Sequence, residues 1–129
     1  MVGKVISSAI LANDHPLPEL VRSGAFSPGL KAGPFVFVSG CVAKDTNKDI
    51  KGQTTEILEY INKVLKEVGY TMQDIVKVQA FITDKANYSS YNEIRKQYFT
   101  QDPPASTSIV TDLLFPNVLI EIDAVAYKP

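Results

Sequence analysis

Between Thr54 and Val68, apolar residues fall at Ile57, Leu58, Ile61, Val64, Leu65 and Val68. That spacing predicts a helix with one continuous apolar stripe. A second stripe follows, with Tyr88, Tyr91, Ile94 and Tyr98 repeating at helical intervals between Asn87 and Phe99. A one-sided helix must bury that side against another layer, and this demand restricts the chain more than any other feature. The other apolar runs are short and rich in β-formers. Phe35-Val36-Phe37-Val38 reads as a buried strand ending at Ser39-Gly40. Ile75 to Thr83 alternates, with Val76, Val78, Ala80 and Ile82 on one side. Lys77, Gln79 and Thr83 lie on its other side, interrupted by Phe81. Ser106 to Val110 and Val118 to Tyr127 predict two further strands, and Val5 to Leu11 an opening one. Thr54 or Thr55 is placed to cap the first long helix and Gly69 to end it.

Strands, helix, strand, helix, strand, strand is the order of an α+β fold: a single mixed β-sheet with two helices on one face. The opposite face would leave Phe81 and Val125 bare in a lone protomer, which predicts self-association. Residues 11–34 hold His15-Pro16-Leu17-Pro18, Ser27-Pro28-Gly29 and Gly33-Pro34, and read as one long shaped loop. The 129 residues suit a single domain, 1–129.

Composition excludes more than it selects. Thirteen basic and 14 acidic residues leave a net charge of −1, with no basic surplus to hold a nucleic-acid backbone. No apolar run approaches a membrane span. A lone cysteine, Cys41, cannot form an internal disulfide, and the N-terminus has no secretory pattern, so a cytoplasmic location is expected. One histidine and one cysteine fall short of a metal-ligand set, so no metal is expected.

Glu121 and Asp123 alternate with Ile120, Ile122 and Ala124 and so share the outward face of the last strand. The ordinary reading is a solvated or ion-paired couple. The sharper one is a carboxylate in a subunit cleft that orients or deprotonates water. Ser106-Thr107-Ser108 is either a wet edge strand or a row of neutral donors lining a small-molecule site. Ser39-Gly40, at a strand end, is a further contact point. Cys41 reads as a small buried hydrophobe, His15 as an exposed loop residue, and Tyr88, Tyr91 and Tyr98 as packing residues.

Taken together, "KAGPFVFVSG", "IVKVQAFITD", "YNEIRKQYF", "PPAST" and "LIEIDAVA" resemble the Rid family, also called YjgF, of reactive-intermediate deaminases. The similarity runs from about residue 26 to residue 127. It implies a chorismate-mutase-like fold, a homotrimer with sheets packed into a central barrel, and small-metabolite sites in the clefts between subunits. The implied activity is hydrolysis of enamines and imines to keto acids and ammonia, without cofactor or metal. By the same resemblance, Glu121 takes the place of the water-orienting glutamate. Phe26 takes that of a loop tyrosine, and Ser39, Gly40 and Asn92 match binding positions.

One motif departs. Deaminating members carry Pro-Ala-Arg-Ser where this chain has Pro104-Ala105-Ser106-Thr107. That arginine clamps the substrate carboxylate with two charged hydrogen bonds, each worth about 1.5–3 kcal/mol. Either another cation replaces it, with Arg22 and Lys31 as the nearest choices, or the ligand is a neutral or cationic amine held by Ser106, Thr107 and Glu121. The alternative to a deaminase is a non-catalytic binding or regulatory module of the same fold.

Overall fold

The structure is a computed structural model and describes residues 3–129. Strands β1 (Lys4–Ile6), β2 (Gly29–Ala32), β3 (Phe35–Val42), β4 (Ile75–Ile82), β5 (Ala105–Val110) and β6 (Ile120–Tyr127) form one sheet. Its order is β1-β2-β3-β6-β4-β5. All neighbours are antiparallel except β4 and β5, which makes the sheet mixed as expected. Helices α3 (Ile50–Lys66) and α4 (Tyr88–Tyr98) are the two long ones. The α3 stripe Ile57, Ile61, Val64 and Leu65 packs into one core with Val36, Val78, Ala80, Ile120, Ile122 and Ala124. Tyr91 of α4 is fully buried in the same core.

The chain departs from the sequence reading near the N-terminus. The opening strand stops at Ile6, and α1 (Ala9–Asp14) begins because Ser8 Oγ accepts the Leu11 N–H at 3.1 Å. The supposed loop 11–34 holds the end of α1, helix α2 (Pro18–Arg22) and strand β2. Pro18 opens α2 in the first turn, where a missing N–H costs nothing. Helix α3 starts earlier than expected. Asp49 is its cap, accepting from Gly52 N–H at 2.9 Å, while Thr54 and Thr55 donate to carbonyls four residues back. Gly69, at φ +78°, takes the expected left-handed turn.

Two irregularities re-aim side chains. A bulge between Ile75 and Lys77 turns Val76 outward, 44% exposed, against the expected inward side. A second, between Val38 and Cys41, lets β3 continue past Ser39-Gly40 rather than end there. Along β6 the alternation holds. Ile120, Ile122 and Ala124 face the helices, and Glu121, Asp123 and Val125 face away. That far face also carries Phe35, Phe37 and Tyr127, which stay open in the single chain.

Candidate functional site

Glu121 stands opposite Phe81 on β4 and Val42 on β3, beside the β3 bulge. The bulge brings Gly40 so close that a Cβ there would lie 2.5 Å from Glu121 Oε2. A glycine is therefore what leaves room for this carboxylate. Ser39 Oγ donates to the Ser27 carbonyl at 2.5 Å, and Ser39 N–H to the Pro28 carbonyl at 3.0 Å. These bonds tie the segment carrying Phe26 to the bulge. Glu121, Gly40, Ser39 and Phe26 thus line one cavity of about 360 Å³.

Three further walls of this cavity escaped the sequence reading. Leu114 and Phe115 hang from the turn before β6. That turn is anchored by Gln53, fully buried in α3, which donates to the Asn117 carbonyl and accepts from Leu119 N–H. His15 is the third wall, and it is buried, 2% exposed, not on the surface as its Pro-rich setting suggested. Its ring packs against Phe26 and Tyr60, each 5.3 Å away between centroids. Nδ1 accepts the Leu17 N–H at 2.9 Å, so the proton of the neutral ring sits on Nε2, which has no partner. Burial lowers the His15 pKa and keeps the ring neutral.

The same burial works in the opposite direction on the acids. Removal from water, and then the neighbouring Asp123, raise the Glu121 pKa. Asp123 is raised by burial too, with Lys77 pulling against it. The Cys41 thiol is fully buried and pushed up to about 12, by burial first and then by Glu121 and Asp123. It is a packed thiol rather than a nucleophile.

The remaining expected residues lie elsewhere. Ser106 pairs in register with Val78 and faces the helices, whereas Thr107 faces the open side and accepts from Lys77 Nζ at 2.9 Å. Ser106 and Thr107 therefore do not line one site together, because neighbours in a strand point oppositely. Ser106 and Asn92 line a second cavity of about 360 Å³, between α4 and β5. Neither Arg22 nor Lys31 lines either cavity. Arg22 is held by Glu19 at 2.6 Å and Asn13 at 2.5 Å, and Lys31 by the Gly33 carbonyl at 2.8 Å. Among the described residues, no group of three or more His, Cys, Asp and Glu could hold a metal ion. No helix there is long and apolar enough to cross a membrane.

Residues 18–128 match the family model described as Endoribonuclease L-PSP, the YjgF/Rid family. The chain belongs to that family. A RutC family protein of Pyrococcus horikoshii is 36% identical over 111 residues, 81% of this chain and 88% of that protein. A YjgF/YER057c/UK114 family member from Mycobacterium tuberculosis superposes with a TM-score of 0.83 at 28% identity, over 98% of this chain and 99% of that one. YyfA from Yersinia pestis, a Rid-family protein of unknown function, gives 0.82 at 28% identity with the same coverage. These two structures extend the Rid likeness beyond the matched residues 18–128, into the segment that carries α1 and His15. The fold is accordingly the chorismate-mutase-like fold of the YjgF/Rid structures.

Proposed function

We propose that this Rid-family chain binds a small keto or imino metabolite and hydrolyses imines and enamines to the carbonyl compound and ammonia. The carrying observation is the convergence of Glu121, Gly40, Ser39 and Phe26 on one cavity, with a half-buried carboxylate whose pKa is raised. A raised pKa makes the ionised carboxylate a stronger base toward water. Glu121 takes a proton as the water oxygen bonds to the imine carbon. That proton passes to nitrogen and gives the carbinolamine; the hydroxyl proton then moves through Glu121 to nitrogen, the carbon–nitrogen bond breaks, and ammonia leaves as the carbonyl forms. The sum is imine plus water giving carbonyl plus ammonia, and nothing is oxidised or reduced.

The open sheet face bearing Phe35, Phe37 and Tyr127 supports self-association, which we take to be the homotrimer that the family resemblance implies. In that assembly the Glu121 cavity of one copy and the Ser106–Asn92 cavity of the next would form one cleft. A cytoplasmic location fits a lone, unpaired cysteine. The serine at position 106 favours one competing reading, a module that binds without turnover. Ammonia release from freshly generated 2-iminobutanoate tests the choice. Turnover above buffer that vanishes in Glu121→Ala is expected. A rate equal to buffer, together with saturable 2-oxobutanoate binding, would select the binding module. Sedimentation that finds a stable lone protomer would remove the shared cleft.

A further inference from the structure

The geometry points to Arg95 as the residue that recognises a carboxylate on the ligand, a role that rests on the keto or imino metabolite reading above. Arg95 lies on α4, where the sequence marked packing residues and Asn92 but not this arginine. Its Nη1 donates to Ser106 Oγ at 2.6 Å and to Tyr91 OH at 3.2 Å, and Nη2 lies 3.5 Å from Tyr88 OH. Its guanidinium carbon sits 4.7 Å from the centroid of the Tyr91 ring. The head group is therefore held against Ser106, whose neutral hydroxyl stands where deaminating members carry a guanidinium.

All these partners are neutral hydroxyls. Among the described residues no carboxylate lies within salt-bridge distance of Arg95. The one acid on α4, Glu93, is 2.7 Å from Lys51 Nζ and is taken. The cavity wall carries Arg95 and Lys96 and no acid at all. A planar guanidinium fork is matched by a carboxylate, which accepts two parallel bonds, whereas each hydroxyl accepts one. Tyr91, fully buried, locks the fork in place, so little side-chain freedom is lost when an anion arrives. Asn92, one helical turn away, lines the same cavity with a buried amide oxygen that has no partner. That acceptor suits an N–H next to the carboxylate, as in a 2-imino acid. The site thus selects anionic ligands and disfavours the neutral or cationic amines that the serine at 106 had left open.

Calorimetry with 2-oxobutanoate and its neutral analogue 2-oxobutanamide tests this. The readout is the ratio of the two affinities, which does not depend on the active fraction of the preparation. In the wild type the acid is expected to bind about tenfold to hundredfold tighter, the worth of one charged hydrogen bond. In Arg95→Gln the ratio should fall close to one, and in Arg95→Lys to an intermediate value. If Arg95→Gln does not fold, Arg95→Lys still has to lower the ratio at least threefold. An unchanged ratio in the folded variants, or equal wild-type affinities, overturns the role of Arg95 and leaves the metabolite reading standing. A wild type that binds neither compound overturns both.

Discussion

Gly40→Ala separates the placement of the Glu121 carboxylate from the stability of the fold. The added methyl carbon would stand 2.5 Å from Glu121 Oε2, 3.2 Å from its Cδ and 3.5 Å from its Cγ. Ordinary contact begins near 3.4 Å, so the oxygen must withdraw by about 0.9 Å. The nearest atoms all belong to that one flexible side chain, so the backbone need not yield. Turning the side chain off its rotamer costs about 0.5–1.5 kcal/mol. Gly40 lies outside the left-handed region, so alanine restricts the unfolded chain and returns about 0.4–1 kcal/mol. The two nearly cancel, and net stability should stay within about 1 kcal/mol of wild type. The chemistry should not survive as well, because a base displaced by nearly 1 Å loses about a hundredfold in rate. Ammonia release from 2-iminobutanoate and urea unfolding of the same preparation read the two quantities side by side. Turnover within threefold of wild type would refute the placement of the base. A loss of stability above about 2 kcal/mol would show that the backbone, not the carboxylate, had moved.

Glu121→Gln should stabilise the protein at pH 8 but not at pH 3. The folded pKa is raised, so folding takes up a proton, and stability falls as pH climbs from about 4.3 through the folded value. Solvent at the half-open cavity keeps that gain below about 1 kcal/mol, and melting curves across pH will read it. Gln53→Leu should cost about 2–4 kcal/mol in urea unfolding, since it strips partners from Lys48, Asn117 and Leu119 in a buried setting. With a pKa near 12, the Cys41 thiol should be about one part in ten thousand thiolate at pH 8. A chromogenic disulfide reagent should therefore label it at the unfolding rate, and labelling within seconds in the native protein would contradict its burial.

The helical stripes and the β6 alternation were legible in the sequence, because period and burial are local properties of one element. They placed the core, the bare sheet face and the outward pair Glu121 and Asp123. Departures came where distant segments act on one another. His15 reads as exposed by its prolines, yet it is buried because α1 folds against α3 and Tyr60 closes over the ring. Ser106 and Thr107 look like one cluster in a linear string, but the pleat sends them to opposite faces. The charge missing at position 106 could be noticed in the sequence, whereas its replacement could not. Arg95 stands 11 residues earlier, on a helix that only tertiary packing against α3 holds where guanidinium and hydroxyl come within 2.6 Å. Which residues face one way is written along each element; which ones meet depends on how the elements pack.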